Sequence, residues 1–259
     1  MNLESLRRKV FPSHVSTKEF LRFALGCAGL DLRLRGADRV RGVNLLDDVA
    51  VLIPKTTPQT VFDVGAHHGE SVFKICGLLR EPVVHSFEPS PESFKVLREK
   101  FSGRPNLRLN NMAVGASPGS VAFHEYEGSA LNSALPVNRD TPNAACDARL
   151  LRTVEVQMET VDAYCAREGV GRIDWLKIDA QGYDLQVLKG ARRMLSEGRI
   201  AVVTLEVNFI QMYEGEGSFC DILHYMEPLG CRLVDRYDAN YLDNRLSCCD
   251  LLFARGKPA

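Results

Sequence analysis

From Thr60 onward, apolar residues come in short continuous runs. Each run is followed by a longer stretch in which they recur every three or four positions. Continuous runs of this length read as strands buried on both faces, and the wider spacing reads as amphipathic helix. The runs predict strands at 60–64, 83–87, about 106–112, 174–179 and 201–207. The wider spacing predicts helices at about 69–79 and 91–101, after Gly182, and at about 217–228. Strand and helix in alternation imply a parallel sheet with helices on both faces. Two segments follow another rule. Residues 120–127 and 153–161 alternate with period two and read as an added antiparallel pair. The last two apolar runs, CRLVDRY and CCDLLFA, are about ten residues apart, too close for a crossover, so they should pair antiparallel.

The first 36 residues have helical periodicity, with Leu3, Leu6 and Val10 on one face and Ser16 or Thr17 able to cap a second helix that runs towards Gly29. Asn44 to Ile53 reads as a short helix leading in, and 54–58 as a linker. The expected organisation is an N-terminal helical extension, 1–54, and a main domain, 55–259. The extension could pack on that domain, shield its site or join a homodimer. Residues 129–152 are polar, rich in Asn and Ala, and without period. Long connections of this kind are often functional, and this one reads as a mobile lid or substrate loop.

The candidate chemistry begins at TVFDVGAHHGE, 60–70, a strand, a turn with Gly65 and Gly69, and a helix start. A glycine at the strand end permits a sharp turn and the close approach of a ligand. The helix start offers unpaired N–H groups. Asp63, near the strand's carboxyl end, is expected to point into the crevice. The dinucleotide fingerprint G-x-G-x-x-G is absent. An acid before D-V-G-x-x-x-G fits better with a loop that binds S-adenosylmethionine (SAM). Glu88 ends the second strand, 23 residues after Gly65. A carboxylate in that position reaches ribose hydroxyls and accepts two hydrogen bonds at once. With the terminal hairpin, these motifs lay out a Rossmann-like class I methyltransferase fold: α/β, with a mostly parallel seven-stranded sheet.

Composition narrows the partners. The net charge is −1, from 32 basic and 33 acidic residues, which argues against a general nucleic-acid or membrane-surface binder. None of the eight cysteines forms a C-x-x-C pair. Reduced thiols and a cytoplasmic setting are expected. No apolar run approaches the roughly 20 residues of a membrane span.

Four segments carry a resemblance. DVGAHHGE, FEPSPESF, DWLKIDAQGYDLQVLKGA and LEVNF, in that order and spacing, resemble the FkbM family of SAM-dependent methyltransferases over roughly residues 60 to 254. The resemblance implies SAM as methyl donor and a hydroxyl acceptor on a sugar, glycolipid or polyketide-type natural product. It implies that Gly65 and its neighbours Asp63, His67 and Gly69 hold the methionine part and Glu88 the ribose. Met112 and Ala113 would flank the adenine, and Asp179 would face the reacting methyl. Family members often carry Asn at the position of His67 and Glu at that of Gln181. The second departure bears on any mechanism needing two carboxylates around Gly182.

A hydroxyl acceptor must lose its proton, and a base within hydrogen-bond reach accelerates that roughly 10²–10⁴-fold. Asp179, ending strand four, is the first candidate and Glu206, ending strand five, the second. His67 and His68 are further candidates, although their adjacency argues against a shared metal. For Asp179 the structural alternative is bonding to backbone N–H groups near Gly182. For Glu206 it is a structural acid, or a magnesium ligand together with Asp179. Two other function classes remain open: a nicotinamide oxidoreductase, and a SAM-fold binding or assembly subunit without catalysis.

Overall fold

The computed structural model describes residues 42–55, 57–140, 145 and 147–255. The helices expected over the first 36 residues lie outside these. The chain divides into Met1–Arg39 and Val40–Ala259, and everything below belongs to the second unit.

A first helix, α1 (Leu45–Leu52), is capped by the Asn44 side chain. Strand β1 (Thr60–Val64), helix α2 (Glu70–Leu78), strand β2 (Val83–Phe87), helix α3 (Pro91–Phe101) and strand β3 (Leu107–Asn110) follow. Next come β4 (Ala113–Val114), β5 (Gly119–Tyr126), β6 (Leu150–Glu159), helix α4 (Val161–Glu168) and β7 (Ile173–Ile178). Helices α5 (Asp184–Gly190) and α6 (Arg192–Ser196) lead to β8 (Ile200–Asn208). Helix α7 (Phe219–Met226) and strands β9 (Cys231–Leu242) and β10 (Arg245–Arg255) are the last of the described elements.

Seven strands form one sheet in the order β3-β2-β1-β7-β8-β10-β9. The first five in that order are parallel, and β10 is antiparallel to both β8 and β9. This is the α/β class I layout expected from the sequence, antiparallel hairpin included. Side chains alternate across the sheet. Phe62, Leu176, Ile178 and Val203 enter one core with Tyr164 of α4, Leu188 of α5 and Met226 of α7. Val61, Val84, Trp175 and Val202 enter the other with Val49 of α1, Ile75 of α2 and Leu97 of α3. Each large apolar side chain so buried contributes about 1.5–3 kcal/mol.

Four differences from the sequence reading have physical causes. Strand β3 stops at Asn110 because Asn110 and Asn111 turn their amides back onto the carbonyls of Ser86 and Glu88. Helix α4, absent from the sequence reading, starts at a Thr160 cap and buries Val161, Tyr164 and Cys165. The helix after Gly182 breaks at Ala191, where a Cβ on Gly190 would meet the Gly115 carbonyl oxygen at 2.0 Å. The last two strands reach beyond their apolar runs to a two-residue turn. Asp243 and Asn244 take φ of 49° and 59° there, as primed hairpin turns require.

The remaining strands form a separate wing, in the order β4-β6-β5. The antiparallel β5–β6 pair is the one the alternation predicts, and β4 adds to β6 in parallel.

Candidate active site

Beyond Val64 the chain turns at Gly65, with φ 77°. A Cβ there would stand 1.9 Å from the Asp179 carbonyl oxygen, so a side chain would force β1 and β7 apart. Gly69 is the N-cap of α2, and its added Cβ would meet the Phe101 ring at 2.2 Å. Its role is packing, and it does not line the cavity described next.

A cavity of about 710 Å³ lies across the carboxyl ends of the strands, where open parallel sheets bind ligands. Following the strand order, Glu88 lines it after β2, Gly65 and His67 after β1, Lys177 and Asp179 at the end of β7, Glu206 on β8 and Asp250 on β10. Met112 and Ala113 line it from the β3–β4 link. Glu88 is 5% exposed. Its Oε2 accepts the His67 N–H at 2.8 Å and its Oε1 the Ser90 N–H at 2.9 Å. Burial pushes its carboxyl up to about 7, against the pull of those two N–H groups.

Asp63 does not point into the crevice as the sequence suggests. It is fully buried and absent from the cavity wall. Ser71 Oγ donates to its Oδ2 at 2.6 Å, and Lys177 Nζ lies 3.2 Å from its Oδ1. Lys177 also donates to the Gly65 carbonyl at 3.2 Å and to Asp179 Oδ2 at 3.4 Å. Burial alone would depress the Lys177 ammonium, but Asp63 and Asp179 hold it above the usual lysine range.

Asp179 is the more open carboxylate, with its side chain 42% exposed. The structural role weighed for it is filled by another residue. Buried Asp184 accepts the N–H groups of Ala180 at 3.3 Å and Gly182 at 3.1 Å. Glu206 faces Asp250 across the β8–β10 register. Burial, then the charges of Asp179 and Asp250, push Glu206 up to about 7. Burial and Asp179 push Asp250 up to about 6. The sequence reading passed over Lys177 and Asp250. Their signal was present: Asp250 is the lone charge in CCDLLFA, and Lys177 is the lone cation in DWLKID.

His67 and His68 correct a second expectation. With His67 at φ 47°, the two rings stack, centroids 3.7 Å apart and 24° from parallel. Ligand atoms of His67, His68 and Glu70 all lie within 4.8 Å of one another. Adjacency therefore does not keep the rings apart, although stacked imidazoles aim their lone pairs along near-parallel planes.

The wing closes one side of the cavity through Phe123, Ser129, Ala130, Asn132 and Ala134. The expected free loop is docked over much of its first half. Ser129 Oγ lies 2.9 Å from His67 Nε2, and Ser133 bridges back to His124. The N–H groups of Val137 and Asn138 donate to the Tyr126 hydroxyl and the Met212 carbonyl, each at 2.8 Å. The amides of Ser133, Val137 and Asn138 should therefore exchange with solvent as slowly as those of β5. Fast exchange at all three in the free protein would contradict the docking.

A family profile described as "Methyltransferase FkbM domain" matches residues 63–237. The chain belongs to the FkbM methyltransferase family. It is a SAM-dependent methyltransferase, and SAM is its cofactor. Among proteins similar to this FkbM-family enzyme is "2-O-methyltransferase NoeI" of Sinorhizobium fredii, 23% identical over 65% of this chain and 70% of that protein. "31-O-demethyl-FK506 methyltransferase FkbM" of Streptomyces tacrolimicus is 26% identical over 69% of this chain and 74% of that protein. Among solved structures, a putative SAM-dependent methyltransferase from Listeria monocytogenes aligns with 81% of this chain and 97% of its own, at 7% identity and a TM-score of 0.48.

The chemistry of the cavity wall in this FkbM-family protein suits SAM. It joins a buried carboxylate, Glu88, to an apolar rim at Met112, Ala113 and Ile178 and to a group of further carboxylates. Among the described residues no helix is long and apolar enough to cross a membrane.

Proposed function

We propose that this enzyme transfers the SAM methyl group to a hydroxyl oxygen on a sugar, glycolipid or polyketide-type natural product. One observation carries the reading: Glu88, suited to a ribose, and Asp179 and Glu206, suited to a hydroxyl proton, line the same cavity. The names of both relatives, each an O-methyl or O-demethyl designation, support oxygen as the accepting atom.

Bound SAM supplies an activated methyl group on a sulfonium, ready for in-line displacement. The protein's own work is then positioning and proton transfer, and orientation alone can be worth effective molarities of about 10⁵ M or more. Glu88 takes the two ribose hydroxyls on the lone pairs that His67 and Ser90 leave free. Gly65, His67 and the adjoining backbone hold the methionine part, while Met112 and Ala113 flank the adenine. Asp179 accepts the proton from the acceptor hydroxyl. Glu206, whose carboxyl stands near neutrality, is the second proton site.

The test is incubation of the enzyme with methyl-labelled SAM and separated glycan, glycolipid and polyketide fractions of the source cells. Label recovered as a base-stable methyl ether supports the proposal. Label on nitrogen or as a labile ester overturns it.

Glu88 also gives a pH prediction. Glu88→Ala should weaken SAM by about 1–3 kcal/mol, the range for a hydrogen bond to a charged group. The ionised carboxylate is the better acceptor for two hydroxyls, and its carboxyl titrates near 7. SAM affinity should therefore rise with pH through neutrality and level off above it. Calorimetry between about pH 6 and about pH 8 reads this slope, which Glu88→Gln should flatten.

A further inference from the structure

Gln181 occupies an unusual place. It sits in the turn between β7 and α5 at φ 51°, a left-handed conformation uncommon for a residue with a side chain. Its amide is held at both ends. Nε2 donates to Asp179 Oδ1 at 2.7 Å, and Oε1 lies 2.9 Å from the Tyr213 hydroxyl. Its backbone carbonyl accepts the Ser133 hydroxyl of the wing at 2.6 Å. Tyr213 is completely buried, and its hydroxyl is also 3.1 Å from the Leu131 carbonyl, again in the wing.

The donor count fixes the direction of this chain. An ionised carboxylate only accepts, so it needs the NH₂ end of the amide. The amide oxygen then faces Tyr213, whose one proton meets two acceptors, Gln181 Oε1 and Leu131 O. A reversed amide would press an oxygen against the Asp179 carboxylate. Asp179 is thereby held at both oxygens, Oδ1 by Gln181 and Oδ2 by Lys177. Gln181 cannot ionise. The neighbour of Asp179 on this side is therefore a permanent neutral donor, and Asp179 need not share a proton with it.

We propose that Gln181, braced by Tyr213, is the positioning residue of Asp179 and ties the docked wing to the carboxylate at the reacting centre. The proposal rests on the reading of Asp179 as the group that takes the hydroxyl proton. It makes a specific claim about a glutamate at this position. A glutamate side chain would put a second carboxyl within 2.7 Å of the first. Two carboxyls that close share one proton and release it only at higher pH.

The test uses the full chain with ¹³C-labelled aspartate, the Asp179 carboxyl resonance being assigned by its loss in Asp179→Asn. Gln181→Glu, which keeps the side-chain shape, should move the pH midpoint of that resonance up by about one unit or more. Tyr213→Phe keeps the ring and loosens only the brace, and should give a smaller shift in the same direction. SAM calorimetry on each variant checks that it is folded, and affinities within about twofold of the parent are expected. With the acceptor from the labelling experiment, the acid limb of the kcat profile in Gln181→Glu should move up with the resonance. A resonance that titrates alike in Gln181→Glu and the parent overturns the proposal, even if Asp179→Asn is inactive. Full turnover by Asp179→Asn overturns the reading of Asp179 instead, while the carboxyl titration still reports on the coupling.

Discussion

Asp179→Asn should lower turnover by about 10²–10⁴-fold, the usual worth of a positioned acid or base, with SAM affinity close to that of the parent. The substitution keeps the shape and the Lys177 contact can survive on the amide oxygen, but the proton acceptor is gone. The expectation is strengthened by the position of Asp184, which already serves the backbone N–H groups of the turn. Removing the Asp179 charge therefore leaves the turn intact. It should also ease Glu206 downwards, because Asp179 is one of the two charges that raise it. Steady-state kinetics alongside calorimetry separates the outcomes. A fall in SAM affinity with saturated turnover preserved would make Asp179 a cofactor ligand. Parent-like values of both would leave Glu206 as the proton acceptor.

Lys177→Met should destabilise the fold by about 3–5 kcal/mol, the cost of removing one partner from a buried ion pair. Asp63 is fully buried, and Lys177 is its only charged contact at 3.2 Å among the described residues. Without the ammonium, Ser71 remains as a single donor, and burial drives the Asp63 carboxyl to stay protonated. The folded variant then binds a proton that the unfolded chain releases. Its stability should rise as the pH falls through the folded-state value of Asp63, and level off below the unfolded one. Urea unfolding at several pH values measures both effects. Asp63→Leu combined with Lys177→Met should recover much of the loss, since it removes the stranded charge as well. A loss below about 1 kcal/mol for Lys177→Met alone would mean that water reaches Asp63 readily.

Much of the sheet was legible because its central strands are buried on both faces. The apolar runs at 60–64 and 83–87 coincide with β1 and β2, since most of their residues are buried apolar side chains. Helix α4 was hidden because the two-residue alternation of β6 runs straight into Val161, and only the Thr160 cap marks the change of period. In the outer half of β9, Asp238, Asn240 and Tyr241 are exposed, so that half leaves little hydrophobic trace. At the site, Glu88 could be placed on the cavity wall from its spacing, because the end of the second parallel strand lies beside the end of the first. Asp63 could not be placed, since its direction depends on Lys177, 114 residues further on. The docking of the wing was equally hidden: bonds such as Ser133 to Gln181 join polar residues that carry no periodic signal.

The wing leaves and rejoins the main chain side by side. Ala113 of β4 pairs with Met158 of β6, and Val114 with Glu159. The two crossing points are thus one strand spacing apart, about 4.8 Å. A segment closed at its base in this way can gain or lose residues at its tip without moving β3 or α4. Insertion and deletion can therefore reshape this wall of the cavity, while Glu88 and Asp179, just past the ends of β2 and β7, keep their separation.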